Sequence, residues 1–460
     1  MECINTLGFY NDEITKTKSR KMNNYEIREI NTVEIQVTNR CNLDCSYCFQ
    51  KHKTPDTLTE FDYYRIFDLL FNDEKDTEKF EKFKLVEGDR GYFLLYIIGG
   101  EPLLEISNIR KALKYFESKL KAHNMESLKW KVSFTTNGTL YFKDEVQSLL
   151  DEYGDKVWII TSVDGYTAES HNKCRKFPNG KGSFDIVSKA LSDFDKRSEN
   201  KYTAKMKYVI SKNNLHDMEK DVYEFIKAGY HYVHSGLVVE DSWTIEDARE
   251  YYLHLIHIAD YIIDNKLYNS FDLNLISRYK ALNEFTNESV HNIQKRCAIF
   301  STRKISFAAN TNIIACFALD QSSVGDKEMK YGNIYTGECT TQEEKDIYEY
   351  LYGGFQIHEY LTYKCLYCPA FVRCSGCPAL SYAELGRFEL NTNACEMYTA
   401  EYLANLYYIL RLRLLGAIKD DYLLKYKNLM PRDRCIPIIG EEEYNLLTEL
   451  SRRSLIYGCS

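Results

Sequence analysis

No stretch of this 460-residue sequence stays apolar long enough to cross a bilayer as a helix, so a membrane partner is not expected. Clustered Lys and Arg are missing as well, and the net charge is -8 with a pI near 5.8. A nucleic-acid partner is therefore not expected, because affinity for a polyanion rests on such clusters. The beginning, Met1-Glu2-Cys3-Ile4-Asn5, lacks the basic-then-apolar order of a secretory signal, which points to the cytoplasm. No repeat of fixed period and no low-complexity tract is visible.

Cysteine, by contrast, is plentiful. In a long chain without a signal, 15 cysteines read as metal ligands or redox groups rather than a disulfide framework. Eight of them form two groups, three within 41–48 and five within 365–395. The 44% hydrophobic content is enough for two or three packed units.

Apolar, β-rich runs at 33–37, 93–98, 132–136, 157–163, 206–210 and 232–239 alternate with stretches of helical period, such as 61–71, 109–120 and 215–228. Repeated βα units of this kind build a parallel sheet, and six of them suit an α/β partial barrel, open on one side. Chemistry in such folds collects at the carboxyl ends of the strands. The expected organisation is an N-terminal extension at 1–31, the partial barrel at 32–240 and a helical bridge at 241–296. A cysteine-rich domain at 297–395 and a helical extension at 396–460 follow, the latter opening with an amphipathic helix at 398–415.

Cys41, Cys45 and Cys48 follow the first run directly, on a loop at its carboxyl end. Three thiolates on one loop can hold three corners of a [4Fe–4S] cluster and leave the fourth iron without a protein ligand. The alternative is structural zinc, which needs a fourth ligand that this loop does not offer.

The C-x3-C-x2-C spacing, with Tyr47 before its last cysteine, resembles the radical S-adenosylmethionine superfamily. Further motifs follow in order: Gly99-Gly100-Glu101-Pro102, Thr136-Asn137-Gly138, Ser162-Val163-Asp164-Gly165, then His171, Arg175 and Gly182-Ser183-Phe184. The resemblance implies a cluster on the three cysteines with S-adenosyl-L-methionine on its open iron. It further implies that Gly99, Gly100 and Glu101 meet the cofactor's amino group. Ser162 and Arg175 become candidates for its ribose and carboxylate, and Tyr47 for its adenine. Asn137, Asp164 and Asn214 join the same cofactor site. The implied chemistry is reductive cleavage of the cofactor to methionine and a 5′-deoxyadenosyl radical, which takes hydrogen from a substrate.

The run Cys365, Cys368, Cys374, Cys377 and Cys395, preceded by Cys297 and Cys316, resembles the SPASM domain found in radical enzymes that act on peptides and sulfatases. It implies two auxiliary [4Fe–4S] clusters, an outer one on Cys365, Cys368, Cys374 and Cys395 and an inner one on Cys297, Cys316 and Cys377. A pair of zinc knuckles is the alternative reading of the same cysteines. Two departures stand out: Cys374 to Cys377 is one residue short, and Thr311 replaces a glycine. Some relatives carry one more cysteine where His291 stands here, so the inner cluster is expected to have an open iron or to take His291 or another group. Cys3, Cys174, Cys339, Cys435 and Cys459 have no partner by spacing and default to buried thiols.

The leading expectation is a peptide maturase that closes a crosslink, a cysteine thioether first among them, in a ribosomally made precursor peptide. It draws electrons from a donor such as ferredoxin or flavodoxin. The rivals are other carbon–carbon or carbon–oxygen crosslinks, and sulfatase maturation to formylglycine, which needs a base within reach of the proton it removes. Those maturases have aspartate directly after the cysteine equivalent to Cys316, where this chain has Phe317 and only Asp320 nearby. A scaffold with relict clusters would have lost the cofactor residues. About thirty residues before the first strand are too few for a leader-binding domain. Leader recognition then falls to another protein or to the tail from Tyr398, although the tail reads more readily as core packing.

Overall fold

The computed structural model describes residues 27–73, 79–198, 205–277, 303–354, 360, 365, 368, 370, 374, 377–418 and 431–457. Cys3, His291, Cys297 and Cys459 lie outside the described residues.

In chain order the strands are β1 (Arg28–Ile30), β2 (Thr32–Gln36), β3 (Phe83–Leu85), β4 (Phe93–Ile98), β5 (Trp130–Thr136), β6 (Val157–Val163), β7 (Met206–Ile210), β8 (Tyr232–Leu237), β9 (Asp272–Leu273), β10 (Lys304–Phe307), β11 (Asn312–Ile314), β12 (Lys330–Asn333) and β13 (Gly337–Glu338). β1 and β3 form a small parallel pair. The other eleven make one sheet in the order β13-β12-β11-β10-β2-β4-β5-β6-β7-β8-β9. From β2 to β8 every pairing is parallel, and the six predicted strands are all present. The sheet ends at β13 and β9 and does not close on itself.

Alternation along each strand sorts the side chains between two faces. Val33, Ile35, Leu95, Ile97, Val132 and Phe134 enter a core covered by the helices Glu60–Leu70 and Ile106–Ala122. Phe116 stands at its centre, with ring centroids 5.2 Å from Phe67, 5.3 Å from Trp130 and 6.0 Å from Phe93. A capping box between Thr59 and Asp62 starts the first of these helices by satisfying backbone N–H groups that have no partner inside it. Met206, Tyr208, Ile210 and Val233 enter a second core under the helices Ile245–Asp264 and Cys395–Leu414.

The opposite face is polar. Ser306, Glu34, Tyr96, Ser133 and Trp158 lie side by side across the sheet, as do Ser162, Lys207 and His234. These residues line the inside of the half-barrel.

Two features differ from the sequence reading. The cysteine-rich segment extends the barrel sheet: β10 pairs in parallel with β2, and β11, β12 and β13 follow as antiparallel neighbours. The tail helix runs Cys395–Leu414 and is buried on almost every face, Glu401 and Arg413 included, because it is packed between the helices Ile245–Asp264 and Arg432–Tyr457. It is a core helix and not an amphipathic one, in line with packing rather than leader binding. Thr311, where a glycine was expected, takes φ +68 in the β10–β11 turn, a left-handed conformation that suits glycine best. Asn333 Nδ2 donates to its hydroxyl at 2.9 Å.

Candidate active site

The sequence-predicted cofactor residues meet at the carboxyl ends of β2, β4, β5, β6 and β7. After β2, the Cys41–Cys48 loop carries the three thiols, each partly buried. Leu43 N donates to Cys41 Sγ at 3.4 Å and Asn137 Nδ2 at 3.8 Å, while Arg175 Nη1 donates to Cys45 Sγ at 3.7 Å. Burial raises the pKa of Cys41 and pushes Cys45 up to about 12, against the pull of Arg175, so iron must displace protons to bind.

After β4, a Cβ on Gly99 would stand 2.6 Å from the Thr38 carbonyl oxygen, and one on Gly100 would stand 2.3 Å from that of Arg40. Only glycine lets this segment lie against the thiol loop. Glu101 was expected to reach the cofactor, but its fully buried carboxylate turns into the protein. It accepts hydrogen bonds from Thr136 Oγ1 at 2.6 Å, Asn137 N at 2.7 Å and Leu103 N at 3.0 Å. It ties the end of β4 to the end of β5 and fixes the backbone around the glycines.

Asp164, Arg175 and Tyr47 form one buried network. Arg175 Nε donates to Asp164 Oδ2 at 2.8 Å, Tyr47 OH donates to the same oxygen at 2.5 Å, and Arg175 also donates to Tyr47 OH. Asp164 Oδ1 is buried without a partner. Asn214, also fully buried, donates to the Asp164 and Val209 carbonyls at 2.9 Å each and accepts from Ser211 N at 2.8 Å. It braces strand ends, with its donors and acceptor used internally.

His171 was noticed in the sequence without a role. Burial, then the charge of Arg175, lowers its pKa to about 3, so the ring is neutral. Its Nδ1 accepts from Asp164 N at 3.2 Å, which leaves the proton on Nε2, 2.9 Å from Ser183 Oγ. Ser183 Oγ in turn donates to the Arg175 carbonyl at 3.1 Å. This chain locks the segment that carries Arg175.

The C-terminal cysteines fall into two neighbourhoods. Cys316 and Cys377 lie within electrostatic reach of each other and of Lys304, whose ammonium pairs with Glu34 at 2.7 Å on the inner barrel face. Burial raises both thiols. Cys377 is also the N-cap of the helix Pro378–Leu385, a place that favours a thiolate. Cys395 has Cys365 and Cys368 in electrostatic reach, and Arg434 hydrogen-bonds Cys368. Cys374 N donates to the Ala370 carbonyl at 2.8 Å. Cys174, Cys339 and Cys435 are buried. Lys304, Glu34, Lys207 and Arg434 were missed; for the first three the available signal was a charge inside an otherwise apolar strand.

The residues fit the cofactors implied by the motifs. Three thiols share one loop, two of them receive N–H donors of the kind that support cluster sulfur, and a buried carboxylate oxygen beside them is unsatisfied. Among the described residues no group of three His, Cys, Asp or Glu side chains is placed to hold a single metal ion. None of the described helices is long and apolar enough to cross a membrane.

Residues 35–236 match the Radical SAM superfamily. This part of the chain is a radical SAM domain, of a family whose cofactors are a [4Fe–4S] cluster and S-adenosyl-L-methionine. Among characterised relatives, the chain is similar to the radical SAM cyclopropyl synthase TigE of Paramaledivibacter caminithermalis, at 24% identity over 226 residues, 48% of this chain and 44% of TigE. It is also similar to the antilisterial bacteriocin subtilosin biosynthesis protein AlbA of Bacillus subtilis, at 29% identity over 156 residues, 34% of this chain and 28% of AlbA. The chain thus spans less than half the length of these relatives. In fold it resembles anSMEcpe, solved with bound AdoMet, with a TM-score of 0.59 and 18% identity, covering 85% of this chain and 96% of that one.

Proposed function

We propose that this enzyme modifies a precursor peptide by hydrogen abstraction and that the product is a cysteine thioether crosslink. The observation that carries the choice is Asp320. It is the carboxylate nearest Cys316 in sequence, and so the closest counterpart of the aspartate that formylglycine-forming maturases carry there. Both its oxygens are committed: Oδ2 accepts from Gln36 Nε2 at 2.7 Å and Ser322 N at 3.1 Å, and Oδ1 from Ser323 Oγ at 2.7 Å, Ser322 Oγ at 3.0 Å and Ser323 N at 3.1 Å. It is 1% exposed and caps the short helix Gln321–Val324. A carboxylate so engaged is poorly placed to take a proton. Similarity to AlbA, a protein of bacteriocin biosynthesis, supports a peptide substrate.

Cys41, Cys45 and Cys48 would hold the radical-generating cluster. When bound and reduced, it supplies the electron that cleaves S-adenosylmethionine to methionine and a 5′-deoxyadenosyl radical. Gly99 and Gly100 let the chain pass close to the loop, and the Glu101, Asn214 and His171 bonds hold the strand ends in register. Cys316 and Cys377, with Cys297, would hold the inner auxiliary cluster, and Cys365, Cys368, Cys374 and Cys395 the outer one. The polar wall of Glu34, Tyr96, Ser133, Ser162 and His234 offers hydrogen-bonding groups to a peptide backbone between the two ends. An external one-electron donor such as ferredoxin or flavodoxin completes the cycle.

Anaerobic reconstitution with a candidate Cys-containing precursor tests this. Mass spectrometry should show loss of two hydrogens together with loss of a free thiol. Conversion of cysteine or serine to an aldehyde would instead establish formylglycine chemistry.

A further inference from the structure

Asp320 has a use other than as a base: it stands in a buried polar network that joins the two cysteine regions. Gln36, which ends β2 five positions before Cys41, donates from Nε2 to Asp320 Oδ2 at 2.7 Å, to Asn39 Oδ1 at 2.5 Å and to Ser322 Oγ at 3.3 Å. Gln50, two positions after Cys48, donates to Ser322 Oγ at 3.0 Å, and His52 N donates to the Ser322 carbonyl at 2.9 Å. Phe49, next to Cys48, and Phe317, next to Cys316, have ring centroids 5.6 Å apart. The turn after Cys316 is therefore fastened to the chain on both sides of the Cys41–Cys48 loop.

Gln36, Asn39, Gln50, Asp320 and Ser322 are all buried, none more than 5% exposed. Gln36 Oε1 is buried with no hydrogen-bond partner among the described residues. An unmet buried acceptor is a cost that apolar side chains at the same place would avoid. What a polar network adds over apolar contact is direction, because each bond fixes a distance and an angle and the set admits one arrangement. The register of β10 on β2 ends with Phe307 beside Ile35. Beyond that pair the network carries the connection on to the two cysteine turns.

Resting on the peptide-modification reading above, we propose that Gln36, Gln50, Asp320 and Ser322 are a positioning device that fixes the Cys41–Cys48 loop relative to Cys316. A radical made at the loop must meet its target atom at contact distance, and a displacement of about 1 Å caused by a distant change can cost about 100-fold. Gln36 and Gln50 act through the loop they hold, so their loss should leave the radical to form and spoil its aim.

Two measurements on the full-length protein test this. In the reconstituted enzyme, Gln36→Leu, which leaves the bonds from Ser322 and Ser323 to Asp320 in place, should lower the ratio of modified peptide to 5′-deoxyadenosine by roughly 10-fold or more. Gln50→Leu should act in the same direction. A merely structural defect would lower both products together and leave their ratio unmoved. In the apoprotein, hydrogen–deuterium exchange over 37–53 should quicken by roughly 10-fold in Gln36→Leu, while the helix Ile106–Ala122 keeps its wild-type rates. If the product ratio stays at the wild-type value, or loop exchange is unchanged, the assignment is overturned. Wild-type enzyme that forms no 5′-deoxyadenosine would sink the cofactor reading, and nucleoside without modified peptide would sink the peptide reading. Loop exchange still decides for or against the network in both cases.

Discussion

Around Cys41 and Cys45 the protein places N–H donors on sulfur, from Leu43, Asn137 and Arg175. Around Cys316 and Cys377 it places a fixed charge pair, Lys304 with Glu34, and a helix N-terminus. Of the donors of the first site, Asn137 follows β5 and Arg175 follows the helix Ala168–Cys174 after β6, so that site exists only when the parallel barrel is assembled. The second rests on β10, which joins the sheet by pairing with β2. One region is assembled from the ends of the parallel barrel strands, the other from β10, an inner strand between β2 and β11, and the turn that follows it. Substitutions in the two regions should therefore fail in different ways.

The largest contrast is chemical. Replacing Cys41, Cys45 and Cys48 by Ala should abolish 5′-deoxyadenosine formation while iron remains on the C-terminal cysteines. Replacing Cys316 and Cys377 by Ala should keep 5′-deoxyadenosine formation and lose the modified peptide. Chromatography of the nucleoside and mass spectrometry of the peptide read the two outcomes. Equal loss of both products in both variants would erase the distinction.

Next is the core beneath the first site. Phe116→Ala should cost about 3–5 kcal/mol, the usual range for a buried aromatic, measured by denaturant unfolding of the apoprotein. A cost below about 1 kcal/mol would mean that the core is not what holds the strand ends.

Asp221 gives a pH signature on the barrel side. Burial pushes its carboxyl up to about 6, despite hydrogen bonds from Tyr166 N and Tyr208 OH. The folded value lies above the unfolded one of about 3.9, so the native state binds more protons between them. This contribution to stability is present below about pH 4 and is lost as pH rises through about 6. Asp221→Asn should flatten that part of the stability curve of the apoprotein, and an unchanged slope would contradict it.

The smallest effect is in the β10–β11 turn. Thr311→Gly removes about 1–2 kcal/mol of left-handed strain. The lost bond from Asn333 and the added freedom of the unfolded chain take back about 0.5–1 kcal/mol. A net stabilisation within about 1 kcal/mol is expected from the unfolding midpoint, and a clear loss would mean that the hydroxyl, rather than the backbone, governs the turn.

The same contrast explains what the sequence made legible. The strands β2, β4, β5, β6, β7 and β8 announce themselves because each has an apolar outer face repeated at every second residue. The site follows from them, since its motifs sit at their carboxyl ends. The pairing of β10 with β2 is not legible: Lys304-Ile305-Ser306-Phe307 is short, and its partner lies about 270 residues away, at Thr32–Gln36. The helix Cys395–Leu414 read as amphipathic because its Tyr, Arg and Glu residues look solvent-facing in sequence. Tertiary packing supplied them with partners, as in the bond from Tyr407 OH to Asp260 Oδ1 at 2.8 Å. Spacing located Glu101, Asn214 and Arg175 but could not show which polar atoms they spend on the protein itself.

The central claim is that the loop after β2 holds an iron–sulfur cluster with an iron left open for S-adenosylmethionine. Electron paramagnetic resonance of the anaerobically reduced protein, before and after adding S-adenosylmethionine, tests it most directly. The signal should change on addition in the wild type and stay unchanged in the Cys41→Ala, Cys45→Ala, Cys48→Ala variant. A wild-type protein that carries zinc without iron, or whose cluster signal ignores S-adenosylmethionine, would contradict it.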